Sequence, residues 1–129
     1  MVKLEFLSVS KIPDTQTLSQ LIAERFQLNV IQVQQNILNR ENLGSTMIAP
    51  DISMPHVEMP NIIKQGLFLI TNKQSFMLVL VIDSNQPDEQ LIAILKGLLV
   101  EQSLEKLRKA SSQQDFEKLI GEVKNYAIG

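Results

Sequence analysis

The chain has 129 residues, 44% of them hydrophobic, which suits one compact domain over 1–129 with a core of its own. A formal net charge of −2, from 12 basic and 14 acidic residues, argues against a nucleic-acid footprint. The absence of cysteine excludes disulfides, thiolate metal sites and cysteine nucleophiles, and it leans towards a reducing compartment. The longest apolar run, Phe76–Ile82, is too short to span a bilayer, and Glu5 stands where a secretion signal would continue apolar. The expectation is a cytoplasmic protein without direct membrane insertion.

Residues Leu4–Val9 read as a short strand at a sheet edge, followed by the breakers Pro13 and Asp14. Thr17 and Gln20 have capping-box spacing, and Leu18, Leu21, Ile22 and Phe26 carry a helical stripe to about Gln27. A second helix is expected over Val30–Asn39, with Val33 and Ile37 on its apolar face. Pro50, Pro55 and Pro60 exclude helix from the next stretch, so Ile52–Val57 reads as one extended edge segment that presents His56. Gly66–Thr71 and Phe76–Asp83 flank a polar turn and read as a hairpin buried on both faces, central in a sheet covered by helices. Pro87 is placed as the first residue of a helix reaching Val100, with Asp88 and Glu89 in its first turn. A short helix over Leu104–Ala110 and a last one from Gln113 to about Tyr126 follow, with N-cap spacing between Ser112 and Asp115. The fold class is α/β, a mixed β-sheet of about five strands sandwiched between helices.

Chemistry concentrates in Arg40–His56, which holds the single histidine of the chain, a Gly44-Ser45-Thr46 turn and Arg40. No G-x-S-x-G elbow accompanies the serines that His56 could activate, Ser45 and Ser53. One histidine without cysteine gives no metal set, and no P-loop or G-x-G-x-x-G supports a nucleotide; no cofactor is expected. The basic triplet Lys106, Arg108 and Lys109 reads as a solvated helix face. A single neutral imidazole can still attack phosphorus and hold a transferable phosphoryl group. Arg40, the Ser45 and Thr46 hydroxyls and nearby backbone N–H groups could neutralise its oxygens. On chemistry alone, a lone histidine after proline is more often structural, and Arg40 reads first as a simple charge favoured at a helix C-terminus.

The pattern Arg40-Glu41, Gly44-Ser45-Thr46 and Ile52-Ser53-Met54-Pro55-His56 resembles the signature of the enzyme IIA domain of the fructose–mannitol class in the bacterial phosphoenolpyruvate-dependent sugar phosphotransferase system. The likeness runs over nearly the whole chain and needs no gap between Gly44 and His56. It implies that His56 accepts a phosphoryl group from the small carrier HPr and passes it to a cysteine of an enzyme IIB domain. Arg40 would steady the phosphate and Gly44, Ser45 and Thr46 would line its site. It also implies an alternative, a IIA-like regulatory domain whose phosphorylation is a signal, as in domains appended to sugar-responsive transcription regulators. Two departures stand out. Gln90 occupies the place of a second family histidine, and Ala49-Pro50-Asp51 replaces a glycine-containing spacer, putting an acid where it would repel the incoming phosphate.

Overall fold

The computed structural model describes residues 2–128, with side chains through Lys124. In chain order the elements are β1 (Lys3–Ser8), α1 (Thr15–Phe26), α2 (Val30–Glu41), β2 (Met47–Ala49), β3 (Ile52–Ser53), β4 (His56–Met59), β5 (Gly66–Thr71), β6 (Phe76–Asp83), α3 (Glu89–Leu98), α4 (Glu101–Arg108) and α5 (Gln113–Ile128). The strands form one mixed sheet in the order β1-β5-β6-β3-β2, with β4 also paired to β6. The β5–β6 hairpin is its antiparallel centre, β1 runs parallel to β5 at the edge, and β3 and β4 both run parallel to β6.

Alternate residues of the two central strands face opposite layers, which is why both read as unbroken apolar runs. Leu67, Leu69, Leu78 and Leu80 pack with Leu91, Ile94 and Leu98 of α3, Leu104 and Leu107 of α4 and Phe116 and Ile120 of α5. Phe68, Ile70, Val79 and Val81 pack on the other face with Leu18, Ile22 and Phe26 of α1 and Val33 and Ile37 of α2. The β1–β5 pairing also demands a glycine. A Cβ at Gly66 would stand 1.8 Å from the carbonyl oxygen of Lys3, so only glycine lets the strands approach.

Several boundaries differ from the sequence expectation, each for a local reason. The mixed sheet between helices is as expected, and among the described residues it has six strands where about five were expected. The additional one, β2, is three residues long, too short for alternation to show. The extended segment Ile52–Val57 is interrupted at Met54-Pro55, and β3 and β4 lie end to end along β6, opposite residues 76–77 and 80–83. Pro55 has no N–H to give, yet its carbonyl accepts from Leu80 N–H at 2.9 Å, so the chain stays on the same course. Helix α1 is capped by Asp14, whose carboxylate accepts from Thr17 N–H at 2.8 Å, and no box forms from Thr17 and Gln20. Asp88 caps α3 through Leu91 N–H at 3.0 Å, which places Pro87 before the helix instead of at its first position. Helix α4 starts at Glu101 and ends at Arg108, earlier at both ends than its apolar pair Leu104 and Leu107 suggests.

Candidate functional site

The site forms where the C-terminal half of α2 meets the edge strand β4. Asn29 caps α2 by accepting Gln32 N–H at 3.0 Å, and Val33 and Ile37 seat the helix on the sheet. Arg40 then falls in its last turn, where the helix dipole favours a cation. Beyond the helix Gly44 adopts φ +140°, a conformation that L side chains rarely adopt, and its carbonyl accepts from Arg40 Nη1 at 3.4 Å. His56 opens β4 opposite Leu80, held from behind by the proline that precedes it.

Arg40 and His56, sixteen positions apart, meet directly: Arg40 Nε donates to His56 Nδ1 over 3.2 Å. Asn36, Asn39, Arg40, Leu43, His56 and Glu58 line a cavity of about 200 Å³ around this contact. The imidazole is half-buried. Burial first, and the Arg40 charge second, lower its pKa below the ordinary 6.5, while Glu58 acts in the opposite sense. At neutral pH the ring is therefore uncharged. Because Nδ1 accepts the arginine N–H, the proton of the neutral ring sits on Nε2. A half-buried imidazole with a lowered pKa thus stands beside a fixed cation, at a cavity of a size that would admit a phosphoryl group.

The other residues singled out in the sequence are distributed unevenly. Gly44 touches the guanidinium through its carbonyl. Ser45 Oγ accepts Met47 N–H at 3.1 Å and the Thr46 carbonyl accepts Met54 N–H at 2.8 Å, so both shape the turn entering β2. Gln90 is exposed in the first turn of α3 and does not line the cavity. Asp51 corrects the expected repulsion. Its carboxylate takes two bonds from Arg108 of α4, at 2.8 and 3.0 Å, and it too lies outside the cavity lining. That guanidinium holds the carboxyl below its ordinary pKa and neutralises its charge. Asn36, Asn39, Leu43 and Glu58 escaped the sequence reading. Asn36 sits one helical turn before Arg40 and Glu58 two strand residues after His56, so those periodicities, applied outward from the motif, point to them.

No group of residues that could hold a metal ion occurs among the described residues, and none of their helices is long and apolar enough to cross a membrane. A mixed sheet is covered on both faces, and an arginine-held histidine opens one of its edge strands. The chain belongs to the family of the phosphoenolpyruvate-dependent sugar phosphotransferase system, EIIA 2, whose pattern matches residues 15–123. Its structure is similar to that of the nitrogen regulatory protein IIA-Ntr from Neisseria meningitidis, with a TM-score of 0.67 at 16% identity, covering 91% of this chain and 92% of that one. It is also similar to PTS IIA(PtxA) from Streptococcus mutans, with a TM-score of 0.67 at 18% identity, covering 98% of this chain and 92% of that one. At such identities the likeness is one of fold. None of the curated proteins compared with the chain matches it.

Proposed function

We propose that His56 accepts a phosphoryl group from the phosphohistidine of HPr and passes it to a cysteine of an enzyme IIB domain in sugar uptake. The observation that carries this reading is the 3.2 Å contact between Arg40 Nε and the half-buried His56 Nδ1. In the first step a lone pair of His56 forms a P–N bond as the donor's P–N bond breaks. The departing imidazole takes back its electron pair, and the proton released by His56 balances the one the donor ring gains. In the second step the cysteine sulfur, as thiolate, attacks phosphorus, a P–S bond forms, the pair of the broken P–N bond returns to His56, and the proton the thiol gave up restores the neutral ring.

Arg40 must change partner during the first step. Attack from Nδ1 displaces its N–H, and attack from Nε2 requires the ring proton to move to Nδ1, where Arg40 no longer has an acceptor. Either way the guanidinium becomes free to fork onto the phosphoryl oxygens beside it. Gly44 meets the guanidinium through its carbonyl; Ser45, next in the chain, uses its oxygen to accept Met47 N–H and keeps its hydroxyl hydrogen, and we assign it and Thr46 to the incoming phosphate on their place beside Gly44. Gln90 lies outside the cavity and is given no step.

A second reading keeps the chemistry and makes the phosphorylated state a signal instead of a relay step. It is supported by the glutamine in place of a second histidine and by the likeness in fold to a protein described as nitrogen regulatory. Intact mass after incubation with phosphoenolpyruvate, enzyme I and HPr tests the shared chemistry. A phosphoryl adduct is expected on the wild type and not on His56→Ala, since no other histidine exists. An adduct on both, or on neither when the upstream components are active, removes the proposal. Transfer onward to a IIB cysteine then separates relay from signal.

A further inference from the structure

We propose that Asn36 is the positioning residue for the Arg40–His56 pair: its side-chain amide takes the place of a neighbouring strand on the open side of β4 and fixes α2 in register with the histidine. This rests on the reading of His56 as phosphoryl acceptor. Among the described residues β6 is the one strand hydrogen-bonded to β4, which leaves the backbone groups on its other side without a strand partner. At Glu58 one side chain fills both positions. Glu58 N–H donates to Asn36 Oδ1 at 2.9 Å, and Asn36 Nδ2 donates to the Glu58 carbonyl at 2.7 Å. A planar amide bonded twice to one residue reproduces the paired N–H and C=O of an antiparallel neighbour. Aspartate there would lose the donor, and alanine both bonds.

The register follows from two periodicities. Asn36 and Arg40 stand four apart on one helix face, a rise of about 6 Å. Glu58 and His56 stand two apart on one strand face, a rise of about 6.6 Å. Because the Asn36–Glu58 and Arg40–His56 contacts pair the two elements in opposite directions, joining 36 to 58 sets 40 opposite 56. All four residues line the same cavity, so the clamp stands at one end of it and the guanidinium–imidazole contact at the other. Apart from its bond to His56, the guanidinium has one hydrogen bond among the described residues, a long one of 3.4 Å to the Gly44 carbonyl, while Val33 and Ile37 seat the helix without contacting His56 through a hydrogen bond.

The test combines three measurements on the whole protein. Amide hydrogen exchange on the wild type is expected to show Glu58 protected about tenfold or more over an unstructured peptide, although β4 has no strand on that side. Imidazole nitrogen NMR of the single histidine is expected to show the proton on Nε2 at neutral pH in the wild type. Asn36→Ala should lose that preference and move the titration midpoint up towards 6.5, with Arg40 of α2 and Glu58 of β4 the charged groups lining the cavity. The rate of phosphorylation by HPr should fall about tenfold in Asn36→Ala, yet less than about twofold when the same change is made in an Arg40→Lys background. Asn36→Asp, which keeps one of the two bonds, should fall between. The proposal is overturned by an unprotected Glu58 amide, by an imidazole spectrum unchanged in Asn36→Ala, or by equal rate losses in both backgrounds. If the wild type takes up no phosphoryl group the acceptor reading fails, while exchange at Glu58 and the imidazole spectrum still decide whether Asn36 sets the contact. Should Asn36→Ala not fold, Asn36→Asp and wild-type exchange decide it.

Discussion

The guanidinium of Arg40 acts on His56 in two ways, as a hydrogen-bond donor that orients the ring and as a charge that opposes its protonation. Removing the charge in Arg40→Gln should raise the His56 midpoint, and removing the opposing carboxylate in Glu58→Gln should lower it; both are read by NMR titration of one histidine. Arg40→Lys should slow phosphorylation several-fold with the fold intact, because an ammonium cannot fork onto two oxygens. An unchanged rate would reduce Arg40 to a charge at a helix end. The histidine also couples to stability. Its folded pKa lies below 6.5, so the stability it contributes is complete above that value and is lost as pH falls through the folded pKa. His56 and Arg40 were legible in the sequence because they belong to one motif. Asn36 and Glu58 lie on the same helix and strand faces as that pair, but their contact with each other joins elements 22 positions apart and is visible only once the fold is known.

Between elements, two contacts invite direct trials. Gly66→Ala sets a Cβ against the Lys3 carbonyl, where backbone and not a flexible side chain must give way. The expected cost lies at or above the upper end of about 1–3 kcal/mol, with loss of exchange protection in β1. A normal denaturation midpoint would show that β1 can shift freely. Asp83, closing β6, accepts from the N–H groups of Gln86 and Asn85 and from Ile62, which holds its pKa below 3.8. Its contribution is present above the unfolded pKa and is lost as pH falls through the folded one, so Asp83→Ala should destabilise more at pH 7 than in acid below pH 3.8. Equal destabilisation at both pH values would count against it. The helices and the central hairpin were readable because their periods persist over several turns or residues. Strand β2 was not, because three residues are too few for alternation to show, and the break at Met54-Pro55 was not, because it is set by pairing with the distant β6.

Two apolar layers share one sheet, so the described residues are expected to unfold in one cooperative transition. Phe68 and Leu69 are adjacent, both fully buried, and face opposite layers. Truncating either to alanine should cost about 2–5 kcal/mol and shift one common unfolding transition. Two separate transitions would mean that the layers unfold independently. The cavity of Arg40, His56 and Glu58 has an electrical consequence for the whole chain. In the unmodified protein its cation and its carboxylate cancel, within a net formal charge of −2. A phosphoryl group would add about two negative charges at that one mouth, taking the chain to roughly −4 and turning a neutral opening into an anionic one. A partner with lysines or arginines within about 8 Å would feel the change at physiological ionic strength, and added salt would erase the distinction. The two states would then differ to their surroundings chiefly as electric fields, with the sheet beneath them unchanged.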